Sequence, residues 1–396
     1  MTRRHRRSRA SVLIVAMSFV LGTAGCTALA PSIPLGTPPR GDAAPATSSA
    51  PASGGSATGH APAPVISTPA VNGVSQSKRA VTQQLGIQVY WHTSGTTEQV
   101  DSAAAKVLDY IVGLGANSVA LSFPVYTNGV DPTEVYGVSG STPSPATLGL
   151  VIKAAQARGL RVMLRPLFDE TNIDDRKGDW RGTIEPPSVS GWFASYRQFL
   201  TPYFQLAQQD SVNYFDIGVE LDSLVIDNSE WSSLDEYAAG IYHGEIDYSD
   251  NWSDWLLAQS PEPAANIGVD AYPDLDLPND TSVSELTTAW EKWLEQRSYS
   301  VLENTVIQEV GIEAADGAYY HPAAFDDTGS ELNSSIQINW FDAACGAARS
   351  LDMPGIYFWD VDSYAEPALG PTAQAGSFIG RGDQAIKACF ASSWNS

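Results

Sequence analysis

Cysteine, histidine and basic residues are all scarce in this chain of 396 residues, and each shortage excludes something. There are three cysteines and five histidines, and His5 and His60 both lie in the first 60 residues. No Cys/His cluster has metal-ligand spacing, so a zinc site is not expected, and nothing else in the chain asks for a metal or cofactor. Lys and Arg number 22 against 45 Asp and Glu, a formal charge of −23. So acidic a surface argues against nucleic acid or anionic lipid as partner, and is ordinary for a soluble secreted enzyme. The apolar run SVLIVAMSFVLG (11–22) is too short for a comfortable membrane span. Aromatic residues are absent from 27–80, and all eleven Trp and sixteen Tyr lie at or after Tyr90. There is no Gly-rich phosphate turn.

The N-terminus reads as targeting and tether. MTRRHRRSRA supplies a basic start, the apolar run follows, and the small residues TAG precede Cys26. Residues 1–26 resemble a bacterial lipoprotein signal, with Cys26 the lipid-bearing first residue of the mature chain. Thr23 departs from the usual Leu there, and a plain secretory signal is the alternative. Either way the expected location is the extracellular face of the membrane or the medium, and the only membrane contact is the N-terminal lipid. Loss of the five signal arginines takes the charge from −23 to −28. Residues 27–84 are expected to be a flexible linker, since 27–80 hold nine prolines and too little apolar surface to offset ordering. Cys345 and Cys389 remain; in an oxidising compartment they pair or stay free, pairing being the commoner outcome.

From Leu85 to the end, short apolar runs alternate with amphipathic helical patterns. Candidate strands are 85–92, 118–126, 161–169, 214–221, 244–249, 266–272, 305–312 and 355–362, the fifth being the most polar. Between them lie helical segments such as 102–115, 147–159, 191–209, 283–298 and 333–351. Eight strand–helix repeats in just over 300 residues predict a (β/α)8 TIM barrel spanning 85–396, acting as a monomer. An open doubly wound sheet or a two-lobed solute receptor is the rival. Against it, the chain shows no Gly-rich phosphate turn and no obvious hinge between halves, and its strand ends look like one shared site.

Residues 215–224, FDIGVELDSL, carry the sharpest signal. Period-2 alternation puts Phe215, Ile217, Val219 and Leu221 on one face and Asp216, Gly218, Glu220 and Asp222 on the other. In a closed barrel the second face points down the axis, and Glu220 sits at the C-terminal rim where such barrels keep their chemistry. The other strand ends carry Trp91-His92, Arg165 and Asp169, Asn251-Trp252, Tyr272, Glu309 and Trp359-Asp360. Aromatic rings for sugar faces, with fixed donors and acceptors for hydroxyls, suit a polysaccharide or oligosaccharide substrate. Taken singly, Glu220 reads equally as a salt-bridge partner of Arg165. Glu309 shares the face of Ile307 by alternation, which alone favours a structural ion pair.

Across 192–224, 241–252, 268–275, 306–312 and 355–362, in order, the chain resembles clan A glycoside hydrolases, most nearly family 113, the β-mannanase-like barrels. The resemblance implies a retaining β-glycosidase with acid/base Glu220 and nucleophile Glu309, acting on β-1,4-mannan or mannooligosaccharide as first guess. It further implies Arg165 and Tyr272 as donors to Glu309, and Trp359 as floor of the reacting-sugar subsite. His92, Asp169, Asn251 and Trp252 become hydroxyl or ring contacts. Val219 stands where many clan A enzymes carry Asn and family 113 relatives a small polar residue. The stretch NSSIQINWFD (333–342), following YYHPAAFDDTGSE (319–331), is expected to form an acidic loop reshaping the cleft rim. The competing class is a non-catalytic carbohydrate-binding lipoprotein on the same barrel, and a transport receptor is a third reading.

Overall fold

The computed structural model describes residues 83–173, 178–258, 266–325 and 331–394. The signal, Cys26 and nearly all of the linker lie outside the described residues. Eight parallel strands close into a barrel: β1 (Gln84–Tyr90), β2 (Ser118–Thr127), β4 (Arg161–Phe168), β5 (Tyr214–Val219), β6 (Glu245–Asn251), β7 (Asn266–Asp270), β8 (Ile307–Val310) and β9 (Gly355–Asp362). β1 pairs with both β2 and β9, which leaves the barrel no free edge. The remaining strand, β3 (Val135–Tyr136), only forms a short antiparallel ladder with the end of β2. The fourth and seventh barrel strands are therefore β5 and β8. The polar fifth candidate is a true strand, β6, running two residues further than expected.

Helices follow the strands around the outside: α1 (Thr97–Gly113), α2 (Pro145–Gln156), α3 (Val189–Gln209), α4 (Asn228–Ala239), α5 (Trp252–Leu257), α6 (Val283–Leu294), α7 (Tyr299–Leu302), α8 (Ser334–Ser350) and α9 (Asp383–Ala391). Their starts are written in the sequence. Thr96 with Gln99, and Ser282 with Glu285, form capping boxes that satisfy the first free N–H groups of α1 and α6. Pro145 stands at the first turn of α2, where its missing N–H costs nothing. Residues 333–342 are not a rim loop but the start of the helix expected over 333–351: Asn333 caps α8 through Ser335 N, and the following residues form its first turns. Their apolar spacing (Ile336, Trp340, Phe341) faces the core, which outweighs the polar composition that suggested a rim loop.

The core has two layers. Outward-facing strand residues such as Val89, Leu121, Leu164, Phe215 and Ile307 pack under the helices in one large cluster. Inside the barrel, Ala120, Met163, Tyr214, Val306 and Tyr357 plug the lower end. Gly86 makes room for that plug, since a Cβ there would stand 2.1 Å from the Tyr357 ring. On the outside, Cys345 of α8 and Cys389 of α9 are disulfide-bonded with Cα atoms 5.8 Å apart.

Candidate active site

One step above the apolar plug the barrel interior turns polar. Arg165 follows Met163 inward by plain alternation and is completely buried. Its Nε donates to Asp216 at 3.1 Å, and its two terminal nitrogens donate to Glu309 and Asp270. Ser249 donates to the other Asp270 oxygen at 2.7 Å, and Gln308 Nε2 donates to Asp216 at 3.1 Å. One cation thus serves three carboxylates. Burial raises the pKa of both aspartates, Asp216 to about 7, while the Arg165 charge pulls them back down. Of the two bonds expected for Glu309, both are present: Arg165, and the Tyr272 hydroxyl at 2.7 Å. Burial and the Glu309 charge push the Tyr272 hydroxyl well above its usual pKa, so it stays a donor. Gly311 leaves the space this needs: a Cβ there would lie 3.3 Å from the Tyr272 oxygen and 3.4 Å from Trp359.

Alternation does not aim either glutamate. On β5 the pairing register shifts between Asp216 and Val219. Gly218 consequently faces Trp231 and Tyr248 of the outer layer, its virtual Cβ 2.6 and 2.7 Å from their rings. Glu220 then takes a left-handed backbone, φ 49°, unusual for a residue with a side chain. Its N–H donates to Ser249 O at 2.9 Å, and the Leu221 N–H donates to the Tyr248 hydroxyl at 3.0 Å, which fixes the turn. On β8 the register shifts on both sides, against β7 and β9. Val306 and Gln308 point inward by alternation, yet Glu309 also reaches Arg165, so its shared face with Ile307 does not survive folding. Such irregularities are how barrels re-aim side chains at their rims.

Glu220 is 5% exposed. It is not a partner of Arg165; Arg181 Nη1 donates to its Oε2 at 2.6 Å, and Asn251 Nδ2 to its Oε1 at 3.4 Å. Asn251 is turned by its own oxygen, which accepts from Ser253 N and Oγ as the cap of α5. Burial is the main influence on Glu220 and lifts its pKa to about 7; Arg181 opposes that, and the Glu309 charge adds to it. Arg181, unforeseen in the sequence, sits on a single 3-10 turn (Arg181–Thr183) in a stretch without periodicity.

The other expected residues line the surrounding wall. His92 Nε2 meets Asp362 at 2.8 Å, and its ring lies 5.3 Å from that of Tyr90. Tyr90 donates to Asp169 at 3.0 Å and lies 6.3 Å from Trp359. Asp169 also accepts from Thr171 N, so it is held as a turn cap. Trp252 meets Tyr272 edge-on at 5.8 Å. His92 and Asp169 therefore touch wall residues and neither glutamate. Asp360, whose pKa burial and Asp362 raise to about 7, joins the same wall. Among the described residues no group of three or more His, Cys, Asp or Glu could hold a metal ion.

A closed (β/α)8 barrel with two buried carboxylates at the C-terminal ends of its fourth and seventh strands defines the class to which glycoside hydrolases of this architecture belong. The profile of Glycoside Hydrolase Family 113 matches residues 89–375, and the chain belongs to that family; it is a glycoside hydrolase. A GH113 β-1,4-mannanase structure is similar at TM-score 0.64 and 18% identity, over 79% of this chain and 99% of that one. The GH113 β-mannanase from Alicyclobacillus acidocaldarius is similar at 0.62 and 16%, over 78% and 97%. The GH5_18 protein from Streptomyces cattleya matches at 0.51 and 12%, over 78% and 79%. At these identities the structures bear on the fold alone. No curated protein matches the chain.

Proposed function

We propose that the enzyme is a retaining β-glycosidase acting on β-1,4-mannan or mannooligosaccharides, with Glu309 as nucleophile and Glu220 as acid/base. The observation that carries the roles is the difference in what holds the two carboxylates. Glu309 accepts from a guanidinium and a phenol, donors that aim the carboxylate as a nucleophile must be aimed. Glu220 is buried with its pKa raised to about 7, the setting of a proton donor. In the first half-reaction Glu309 attacks the anomeric carbon while Glu220 gives its proton to the departing oxygen. In the second, Glu220 takes a proton from water, which attacks the same carbon and releases Glu309. Tyr272 and Arg165 stabilise the Glu309 carboxylate as it is released. Trp359 offers the sugar face of the site, and Asn251 and Arg181 supply the donors near Glu220 that Val219 does not.

Mannan as substrate is supported by the family and by the β-mannanases among its solved relatives. The test is reducing-end release by the full chain on β-mannan, glucomannan, xylan, β-glucan and chitin oligomers. Fastest turnover on mannan-type chains is expected; faster turnover of another member reassigns the sugar, and an inverted product anomer rejects the mechanism. The same proposal has the enzyme exported and tethered through Cys26. Mass spectrometry of the N-terminal peptide from membrane fractions should find the lipid there, and an unmodified Cys26 or a cut elsewhere would replace the tether with plain secretion.

A further inference from the structure

Arg181 lies outside the barrel strands, yet it makes the shortest contact to Glu220. Its Nη1 donates to Glu220 Oε2 at 2.6 Å, its Nη2 lies 3.1 Å from Glu170 Oε1, and its Nε donates to Phe168 O at 3.2 Å. The turn carrying it is itself fixed. Thr183 Oγ1 accepts from Trp180 N at 3.0 Å and donates to Trp180 O at 2.8 Å. Ser223, three residues past Glu220, donates to Ile184 O just beyond the turn. The loop is thereby bonded to the proton donor through a side chain and to the following segment through its backbone. The Arg181 side chain is only 19% exposed and Glu170 17%, so neither charge is screened as a surface pair would be.

We propose that Arg181 is a positioning residue for the proton donor: it clamps the Glu220 carboxylate and, balanced by Glu170, sets how tightly that carboxylate holds its proton. This rests on the reading of Glu220 as acid/base. Among the described residues, the charged and titratable groups acting on Glu220 come from four strands and one loop. Arg181, with Glu170 paired to its guanidinium, faces it from the loop after β4, Arg165 from β4, Asp222 from the turn after β5, Asp270 and Tyr272 from the end of β7, and Glu309 from β8. Asn251 of β6 is uncharged. Among these, Arg181 is the largest influence favouring the ionised form, against burial and Glu309. The loop charge therefore offsets part of the lift that burial gives, and keeps the group able to act as base in the second half-reaction as well as acid in the first. Glu170 works the other way round: its negative charge beside the guanidinium offsets part of that positive charge, so its removal strengthens the net pull on Glu220.

The experiment is a titration of the Glu220 carboxyl carbon by NMR in full-length protein labelled at glutamate, the resonance assigned through Glu220→Gln. Arg181→Met is expected to raise the titration midpoint by about 1–3 pH units, the usual effect of an opposite charge at contact distance. Glu170→Gln is expected to lower it, and Arg181→Lys to hold it near wild type. Opposite signs from two neighbouring substitutions are not produced by a loosened loop. A midpoint unmoved in Arg181→Met, or moved the same way by Glu170→Gln, overturns the clamp. If Arg181→Met does not fold, the sign of the Glu170→Gln shift decides alone. The alkaline limb of kcat/KM on mannohexaose should follow the midpoint in each variant. A midpoint that moves while the limb stays put upholds the clamp and rejects Glu220 as the acid.

Discussion

At the end of β8, Glu309 accepts from Arg165, rooted in the middle of β4, and from Tyr272, two residues past β7. At the end of β5, Glu220 accepts from Arg181 on a loop turn and, at 3.4 Å, from Asn251. The first setting is built into the barrel wall and continues downward into Asp216, Asp270, Ser249 and Gln308. The second is assembled from loops, with acidic Asp222 close by. Two identical side chains on one rim are thus held by different means. A cation network within the barrel holds Glu309, and burial tempered by Arg181 sets the proton affinity of Glu220. The rigid setting suits a group that must keep its charge and aim. The adjustable one suits a group that must gain and lose a proton each cycle.

Substitutions that erase one setting at a time measure this contrast. Glu309→Gln should lower kcat on mannooligosaccharides by roughly 10⁴- to 10⁶-fold, the scale of losing a covalent nucleophile, with binding by calorimetry retained. Glu220→Gln should cost about 10²- to 10⁴-fold on natural chains but little on the first step with a dinitrophenyl glycoside, whose leaving group needs no proton. In the wild type, kcat/KM should fall as pH rises through about 7, where Glu220 loses that proton. Arg165→Met leaves three buried carboxylates without their cation, so an unfolding midpoint loss equivalent to about 3–5 kcal/mol is expected in denaturant titrations. Tyr272→Phe removes one bond to a charged acceptor, about 1.5–3 kcal/mol, or roughly 10- to 100-fold in kcat. Asp222→Asn should move activity least. Burial and Asp254 raise the Asp222 pKa to about 9 in the folded protein, so from its unfolded pKa up to that value the folded state holds an extra proton and stability drops as pH rises. The Asn variant should flatten the decline of Tm between neutral and alkaline pH.

The barrel was legible because strand and helix periods repeat eight times, and Arg165 and Asp216 could be placed inside by alternation alone. The rim was legible only as a list of residues. Alternation aims Glu220 correctly for the wrong reason, since a register shift turns Gly218 outward and a left-handed Glu220 restores the direction. The same rule would have left Glu309 facing the helices, and the register shifts of β8 reverse it. No one-residue pattern announces such a shift, because it arises from what neighbouring strands must pair with. Arg181 was harder still. GDWRGT has turn composition and no period, and its partner is 39 residues away, so only the closed loop reveals the contact. Over 333–342 two readings overlapped, a helix by apolar spacing and a rim loop by polar composition, and the structure keeps the helix because the apolar stripe of α8 is buried.

The most direct test of the two-carboxylate account is covalent trapping with an activated 2-deoxy-2-fluoro-β-mannoside, followed by peptide mass spectrometry of the inactivated enzyme. The account predicts a single fluoroglycosyl adduct on Glu309, formed in the wild type and in Glu220→Gln and absent from Glu309→Gln. An adduct on any other residue, or steady turnover to the inverted anomer with no adduct at all, would contradict it.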